Sequence, residues 1–571
     1  MDDKHADVMR LLALAQSGQR EQALCLADEQ LRIAEDPGML YARAVALHSI
    51  GDHDGAAQTA ERILALTADG EITGTTAIGT AGAIGTVGIG AAKTGTVPTE
   101  ATPARPAQAE MAGWRSIALP FRAWQHLLLN ESNSEINRQT VDLESILHDL
   151  AQAEAMLSKD VSDGFTLATA HTCLGNGYHE LRLYELARPN YEAAFAAATA
   201  RPDEVVVDRA VASQLNLATM HLNWSVELDR IRDSVGAREK SLIAARHAAM
   251  AQEYAAATAD TQPYAAHANL LMACADPSRG NEGQGVERLR DALDALQGRG
   301  LRESPAYALP FLARALDRAG QHSEALEVAQ QAISELPEDA TWMVASAAYH
   351  THATLLAQSG SDSVRAALAY GDRLAETMWR QRLRTLHDVT SMQFVERVTL
   401  ERDRVQVLAN TDALTGVGNR RAFDVRMAQL GTSAADEVAM IVVDVDRLKA
   451  VNDAGGHEAG DLTLQAVAGA LTSQVRLGDL VARLGGDEFV AVLEGIDRAA
   501  AAGLATRMVD AVTAALGSTI SVSVGVATGP ASEAGPSLLR AADRAMYAAK
   551  RDGGVAVTAP QPAITDQSLT G

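Results

Sequence analysis

The segment Arg483-Leu484-Gly485-Gly486-Asp487-Glu488-Phe489 constrains this chain more than any other stretch. Apolar Leu480 and Val481 precede it, and Val490-Ala491-Val492-Leu493 follows without a charge until Glu494. The pattern predicts strand, tight turn, strand, with two glycines at the tip free to take positive φ and to admit a ligand close to bare backbone. Two adjacent carboxylates come directly after the glycines. Bare backbone and paired acids at one exposed point suit a metal–phosphate site. The plain alternative is a Gly-Gly-Asp turn with solvated acids.

A second constellation lies upstream. Ala439-Met440-Ile441-Val442-Val443 is a continuous apolar run, as found in strands buried on both faces. It ends in Asp444-Val445-Asp446, followed by Arg447-Leu448-Lys449, Asn452-Asp453 and Gly455-Gly456-His457-Glu458-Ala459-Gly460-Asp461. An acid at the end of a buried strand holds a hard cation on a rigid element. Magnesium takes one or two carboxylates together with phosphate oxygens. Asp444 and Asp487, on neighbouring strands, supply such a pair, while Asp446 is read as a cap of the following helix, turned away from Asp444.

From about Asn410 to Val555 the chain resembles the GGDEF-domain diguanylate cyclases, and five blocks in order carry the resemblance. They are Asp412 to Arg421 (Asp-Ala-Leu-Thr-Gly-Val-Gly-Asn-Arg-Arg), Asp444 to Asp461, Gly485 to Phe489, Ser521 to Ala527 (Ser-Val-Ser-Val-Gly-Val-Ala) and Ala542 to Lys550 (Ala-Asp-Arg-Ala-Met-Tyr-Ala-Ala-Lys). The resemblance implies condensation of two GTP into cyclic di-GMP with release of two pyrophosphates, on a palm-like α/β fold with a central, mainly antiparallel sheet. It implies Mg2+ or Mn2+ held by Asp444, Asp487, Glu488 and the Val445 carbonyl. Asn452 and Asp461 would read the guanine edge with His457 nearby. Arg447, Leu448 and Lys550 would line the phosphates, and Lys449 would neutralise their charge in the transition state. The resemblance also implies Asp487 and Glu488 as the catalytic acids, with the proton acceptor left open between them and their neighbours. One domain binds one GTP, so the product requires a homodimer. In-line attack of a 3′-oxygen on an α-phosphate calls mainly for positioning and charge neutralisation.

Two positions depart from the family pattern: Leu448 stands where phenylalanine is usual, and Gly554 where a phosphate-contacting arginine is expected. Arg476-Leu477-Gly478-Asp479 resembles the family's inhibitory product site, at the family's spacing before Gly485. Without that resemblance Arg476 and Asp479 would read as a solvated ion pair contributing a few tenths of a kcal/mol.

The rest of the 571 residues reads differently. Residues 1–68 and 111–373 carry Ala-rich helical hairpins. The stretch Leu174 to Ala187 with Tyr191 and Ala194, and the stretch Leu312 to Leu326, resemble tetratricopeptide (TPR) repeats, with weaker copies around Gly18 and Gly51. An ordinary Ala-rich bundle is the alternative. Repeats of this kind form a concave scaffold for a protein or peptide partner. The fold class expected is therefore multidomain: an all-α, TPR-like N-terminal region, then the α/β domain of residues 411–555.

Residues 69–110, rich in Gly, Thr, Ala and Pro, read as a flexible linker. Their uncharged portion is too rich in Gly and Thr for a membrane span. Residues 374–410, free of Gly and Pro, read as a signalling helix. Phe394, Val398, Val405 and Leu408 fall at coiled-coil-like steps, interrupted by Glu401. Residues 556–571 read as a disordered tail. A net charge of −24 argues against nucleic acid as partner. Cys25, Cys173 and Cys274 lack metal or disulfide spacing and read as small core residues of a reducing, cytoplasmic protein without membrane insertion. The function expected is a partner-regulated, product-inhibited diguanylate cyclase. The alternative is a catalytically dead nucleotide receptor or scaffold.

Overall fold

The computed structural model describes residues 3–16, 19–68, 108–132, 142–157, 164–200, 207–256, 262–275, 282–296, 305–337, 340–358, 360–430, 437–476, 478–517, 520–531, 536–552 and 555–558. Most of the expected linker, Gly18, Leu477, Gly554 and the tail beyond 558 lie outside them. The chain forms two compact units, with described residues 3–398 and 399–558.

The first unit is helical throughout its described residues. Its helices are α1 (Asp3–Gln16), α2 (Arg20–Leu31), α3 (Pro37–Ile50), α4 (His53–Ala68), α5 (Gln108–Ser132), α6 (Leu143–Met156), α7 (Gly164–Glu180), α8 (Tyr184–Thr199), α9 (Val207–Arg230), α10 (Ser234–Ala255), α11 (Gln262–Ala275), α12 (Glu282–Leu296), α13 (Pro305–Arg318), α14 (His322–Ser334), α15 (Trp342–Gln358) and α16 (Asp362–Asn410). Local chemistry sets several of the boundaries. Asp36 caps α3 by accepting from the Gly38 and Met39 amides at 2.9 and 3.1 Å, with Pro37 in the first turn and Gly51 ending it at φ 89°. The α7–α8 hairpin is tight because residue 175 has no side chain: a Cβ there would lie 2.4 Å from the Tyr191 ring. Two apolar cores result, one gathered around Leu40, Phe121, Tyr178 and Tyr191, the other around Leu271, Leu312 and Leu316.

Helix α16 begins at Asp362, not at 374, because Gly371 is absorbed into the helix interior. Cys25 is exposed and does not belong to the core, while Cys173 and Cys274 are buried. Among the described residues one helix, Arg498–Leu516, is long and weakly apolar enough to cross a membrane. Its Leu504, Met508 and Val512 are instead buried against the sheet of the second unit.

That second unit contains α17 (Arg420–Leu430), β1 (Glu437–Val445), α18 (Leu448–Thr472), β2 (Leu480–Gly485), β3 (Glu488–Glu494), α19 (Arg498–Leu516), β4 (Val522–Pro530), α20 (Pro536–Asp552) and β5 (Val555–Thr558). The sheet order is β2-β3-β1-β4-β5, antiparallel except for the parallel β4–β5 pair. Strand β5 takes in residues 556–558, expected above to be disordered; Val-Ala-Val-Thr suits an edge strand. Strand β1 is buried on both faces, as its apolar run predicts. Ala439, Ile441 and Val443 face α18 and α19; Val438, Met440 and Val442 face α17 and α20.

Helix α20 lies on β4 with almost no space between the backbones. A Cβ at Gly525 would sit 2.1 Å from both the Ala542 carbonyl oxygen and the Met546 nitrogen. Backbone cannot swing aside as a flexible side chain does, so Gly525→Ala should destabilise the second unit by about 2–3 kcal/mol through overpacking. Denaturant unfolding of the full chain, followed by circular dichroism, checks this. An unchanged transition would mean that the two backbones do not pack this closely.

Candidate active site at the acidic strand ends

Parity along β1 fixes the site. Asp444 shares the face of Met440 and Val442, the side on which α20 packs. Its direct cross-strand partner on β3 is Glu488, and on β4 Ser523. Asp487 closes the β2–β3 turn, and its carbonyl accepts from the Val445 amide at 3.1 Å. Lys550 of α20 reaches Asp444 with Nζ 2.8 Å from Oδ1. The structure thus gathers Asp444, Asp487, Glu488 and Lys550 at one end of the sheet.

Asp446 is not turned away from Asp444. It lies one residue past β1 and accepts from Ser523, the direct cross-strand partner of Asp444, so the two acids are neighbours. Asp446 does not cap α18 either; it accepts from the Ser521 and Ser523 hydroxyls at 2.7 and 2.9 Å, while Arg447, at φ 61°, occupies the cap position.

Charge is crowded here. Burial pushes the Asp444 carboxyl above its ordinary range, and the Asp487 and Asp446 charges add to that, against the hydrogen bond from Lys550. Glu488 is pushed up by burial and by Asp444, Asp543 and Asp487. The hydrogen bond to Asp444 raises Lys550 in turn. Mutually repelling carboxylates of this kind fit a hard divalent cation, which would relieve the repulsion. Among the described residues no three acidic, His or Cys side chains converge tightly enough to hold an ion by themselves. That suits magnesium, which uses few protein carboxylates and draws other oxygens from substrate and water.

The turn is braced by an arginine of the hairpin itself, which is anchored from outside it. Gly485 and Gly486 take φ 148° and 57°, the conformations the two glycines predict. The Arg483 guanidinium donates twice to the Gly486 carbonyl, at 2.9 and 2.7 Å, and pairs with Asp412 at 3.2 Å. Asp412 also accepts from the Thr415 amide and hydroxyl. Burial works to raise the Asp412 carboxyl, but the Thr415 hydrogen bonds and Arg483 hold it below its ordinary range. Asn419 bonds the Ala409 and Thr411 carbonyls, closing the end of α16. The first motif block is therefore largely a brace.

Helix α18 is broken at Gly456, with φ 77° and ψ 175°. Across this break the Asn452 amide oxygen lies 2.0 Å from where a Gly460 Cβ would stand, next to Asp461. The kink therefore brings Asn452 against the segment that carries Asp461, which is exposed, as are His457 and Lys449. Leu448 is partly buried against the α18–α19 core.

Farther along, the buried Asp479 carboxylate accepts from the Arg476 amide at 3.2 Å and from its Nε at 3.4 Å. The Arg476 side chain, largely exposed, also donates to the Glu494 carbonyl. Arg426 bridges the Gly478 carbonyl and the Glu494 carboxylate.

Sequence reasoning missed Arg483, Ser521 and Ser523 as braces and Asp543 as a neighbour of Glu488. Asp543 had a signal: it precedes Lys550 by seven residues, two helical turns, and so shares its face.

Residues 409–555 match the family described as "Diguanylate cyclase, GGDEF domain". An uncharacterized protein of Mycobacterium tuberculosis is 38% identical over 201 residues, 33% of this chain and 32% of that protein. Diguanylate cyclase TpbB of Pseudomonas aeruginosa is 39% identical over 157 residues, 25% of this chain and 35% of TpbB. The chain spans about a third of the length of these curated relatives. The crystal structure of the coiled coil and GGDEF domain of DgcB from Caulobacter crescentus, in complex with c-di-GMP, is 31% identical, covering 31% of this chain and 97% of that one at a TM-score of 0.28. The C-terminal segment of this chain is a GGDEF domain.

Proposed function

We propose that the chain is a diguanylate cyclase, joining two GTP into cyclic di-GMP with loss of two pyrophosphates. The observation that carries this reading is the placement of Asp444, Asp487 and Glu488 at adjoining strand ends, near enough to repel one another, with Lys550 in contact with Asp444. A receptor that only holds a nucleotide has no need of so many repelling carboxylates. Asp444, Asp487, Glu488 and the Val445 carbonyl would hold a divalent cation, magnesium or manganese, which would supply charge neutralisation at the triphosphate. Asn452 and Asp461 present an amide and a carboxylate, which together match the O6 acceptor and N1/N2 donors of guanine; His457 stands beside them. Lys449 and Lys550, with the backbone of Arg447 and Leu448, take the phosphates. In each of two steps a 3′-oxygen attacks an α-phosphorus, its proton passes to an acidic acceptor, and pyrophosphate leaves. Asp487→Asn should reduce cyclic di-GMP formation by at least about a thousandfold, the scale of losing a charge aligned with the transition state. Chromatography of nucleotides after incubation with GTP and magnesium measures it. Near-normal turnover would remove Asp487 from the mechanism.

The two GTP sites belong to two chains. Support for pairing comes from α16, where Phe394, Val398, Val405 and Leu408 are 62%, 50%, 59% and 67% exposed on coiled-coil-like spacing. Val398→Glu combined with Val405→Glu should shift the full chain toward monomer in sedimentation and lower its specific activity most at low concentration. A double variant that still sediments as wild type would exclude this face.

Arg476 and Asp479 form the reading's inhibitory product site, the guanidinium fork taking a phosphate or guanine edge. Arg476→Ala should raise the product concentration for half-inhibition by about tenfold, the loss of one charge-assisted contact. Equal inhibition of both proteins would leave Arg476 and Asp479 as a surface ion pair. The hairpins of the first unit, including α7–α8 and α13–α14, are read as TPR-like and as the seat of an unidentified protein or peptide partner that regulates the cyclase in the cytoplasm.

A further inference from the structure

The first unit contains a cavity of about 540 Å³ between α15 and α16 that the cyclase reading does not use. Its walls are mainly apolar: Tyr349, Ala353 and Leu356 from α15, and Val364, Ala367 and Leu368 from α16. Ser346, His350, His352 and Ser363 add polar groups to the lining, and Arg230, at the end of α9, is its one arginine or lysine among the described residues.

Arg230 is the odd cation of its neighbourhood. Glu227 is held by Arg182 through two hydrogen bonds of 2.6 and 2.5 Å. Asp372 is taken by Arg232 at 3.1 Å and faces His350 at 3.5 Å. Asp229 pairs with Arg314 at 3.4 Å. Among the described residues Arg230 itself hydrogen-bonds only the Ser346 hydroxyl, and it lies 5.7 Å from the Trp342 ring centre. Its Nε is buried with no hydrogen-bond partner. Burial holds its guanidinium below the ordinary range; Arg182 adds to that, and Glu227 and Asp372 only partly offset it. A half-buried cation without a carboxylate of its own carries a desolvation cost that its described neighbours offset only in part. It borders an apolar space of the size that takes small molecules.

We propose that this cavity binds an amphipathic organic monoanion, a carboxylate with an apolar body of about ten carbons. The head group pairs with Arg230, and the body lies along the α15–α16 cleft. The two halves of the ligand answer two separate features, the unmatched guanidinium and the aliphatic walls. A neutral oil would leave Arg230 unpaired, and a compact inorganic anion would leave the walls unfilled. Because α16 forms one wall, the occupant rests on the helix that leads toward the GGDEF domain.

The test uses the full chain and two probes of equal length, decanoate and decan-1-ol, in titration calorimetry below the micellar range of decanoate. Decanoate should bind saturably at one site per chain, and decan-1-ol about tenfold more weakly, the difference of one charge-assisted contact. Arg230→Gln should abolish the preference for the acid, and Ala353→Phe, which narrows the cavity while leaving Arg230 in place, should weaken both probes. Circular dichroism verifies that each variant is folded, and the two variants act separately on the charge and on the apolar space. Absence of decanoate binding would overturn the proposal, as would equal affinity for the alcohol or an unaltered preference in Arg230→Gln. The readout is binding alone, so it stands apart from whether the GGDEF domain turns over GTP.

Discussion

The near contact of two backbones at Gly525 underlies the chemistry of the C-terminal unit. Helix α20 can reach the acidic end of the sheet because β4 offers it a bare stretch of chain on which to lie. Seated there, α20 directs Lys550 at Asp444 and sets Asp543 close enough to raise Glu488. A helix even one side chain farther out would leave Asp444 and Glu488 facing each other without a cation from the protein. The glycine is thus part of the electrostatics, although it carries no charge.

The same region shows how strand parity acts as a sorting device. With both faces of β1 covered, every residue from Val438 to Val445 must suit one of two cores, and a slip of one position would bury acid in the wrong layer. Asp444 is tolerated at the rim because Lys550 meets it and because the strand is about to end. Repulsion among Asp444, Asp446, Asp487 and Glu488 is partly relieved by the Ser521 and Ser523 hydroxyls and by Lys550. What remains is a surplus of negative charge on rigid elements, a condition that binds cations and that a chain optimised only for stability would not keep.

The sequence announced the apolar run of β1, the glycine turn and the acids at the strand ends, because each depends on neighbours within a few residues. It also announced helical hairpins, around Gly51 and over Leu312 to Leu326 among them. What it concealed depends on tertiary partners. Arg483 bracing the turn from Asp412 joins residues seventy-one positions apart, and no local pattern marks such a pair. Asp446 was misplaced because strand alternation was applied to a residue beyond the strand end, and its partners, the Ser521 and Ser523 hydroxyls, stand seventy-five and seventy-seven positions away. Strand β5 was lost because four small residues after a glycine pair look like any tail until a neighbouring edge is known. The unmatched Arg230 was invisible for the same reason: only the fold shows that Glu227, Asp229 and Asp372 are already taken.

Helix α16 changes character along its length. Its first part is tied into the helical unit by Val389, fully buried, and by polar groups that are almost as hidden. Arg382 donates to the Arg182 carbonyl and the Glu185 carboxylate and lies 4.4 Å from the Trp379 ring and 5.1 Å from the Tyr184 ring. Gln393 donates to Glu154 and Tyr178 at 2.5 and 2.8 Å. Buried ionic and polar contacts of this sort fix register, because any slip strands a charge, but their net contribution to stability is small once desolvation is subtracted. Arg382 even keeps one buried Nη1 without a partner. A purely aliphatic contact of equal area would hold α16 more firmly while specifying its position less well. The helix is therefore held in one defined seat by interactions that are exacting in geometry and modest in free energy.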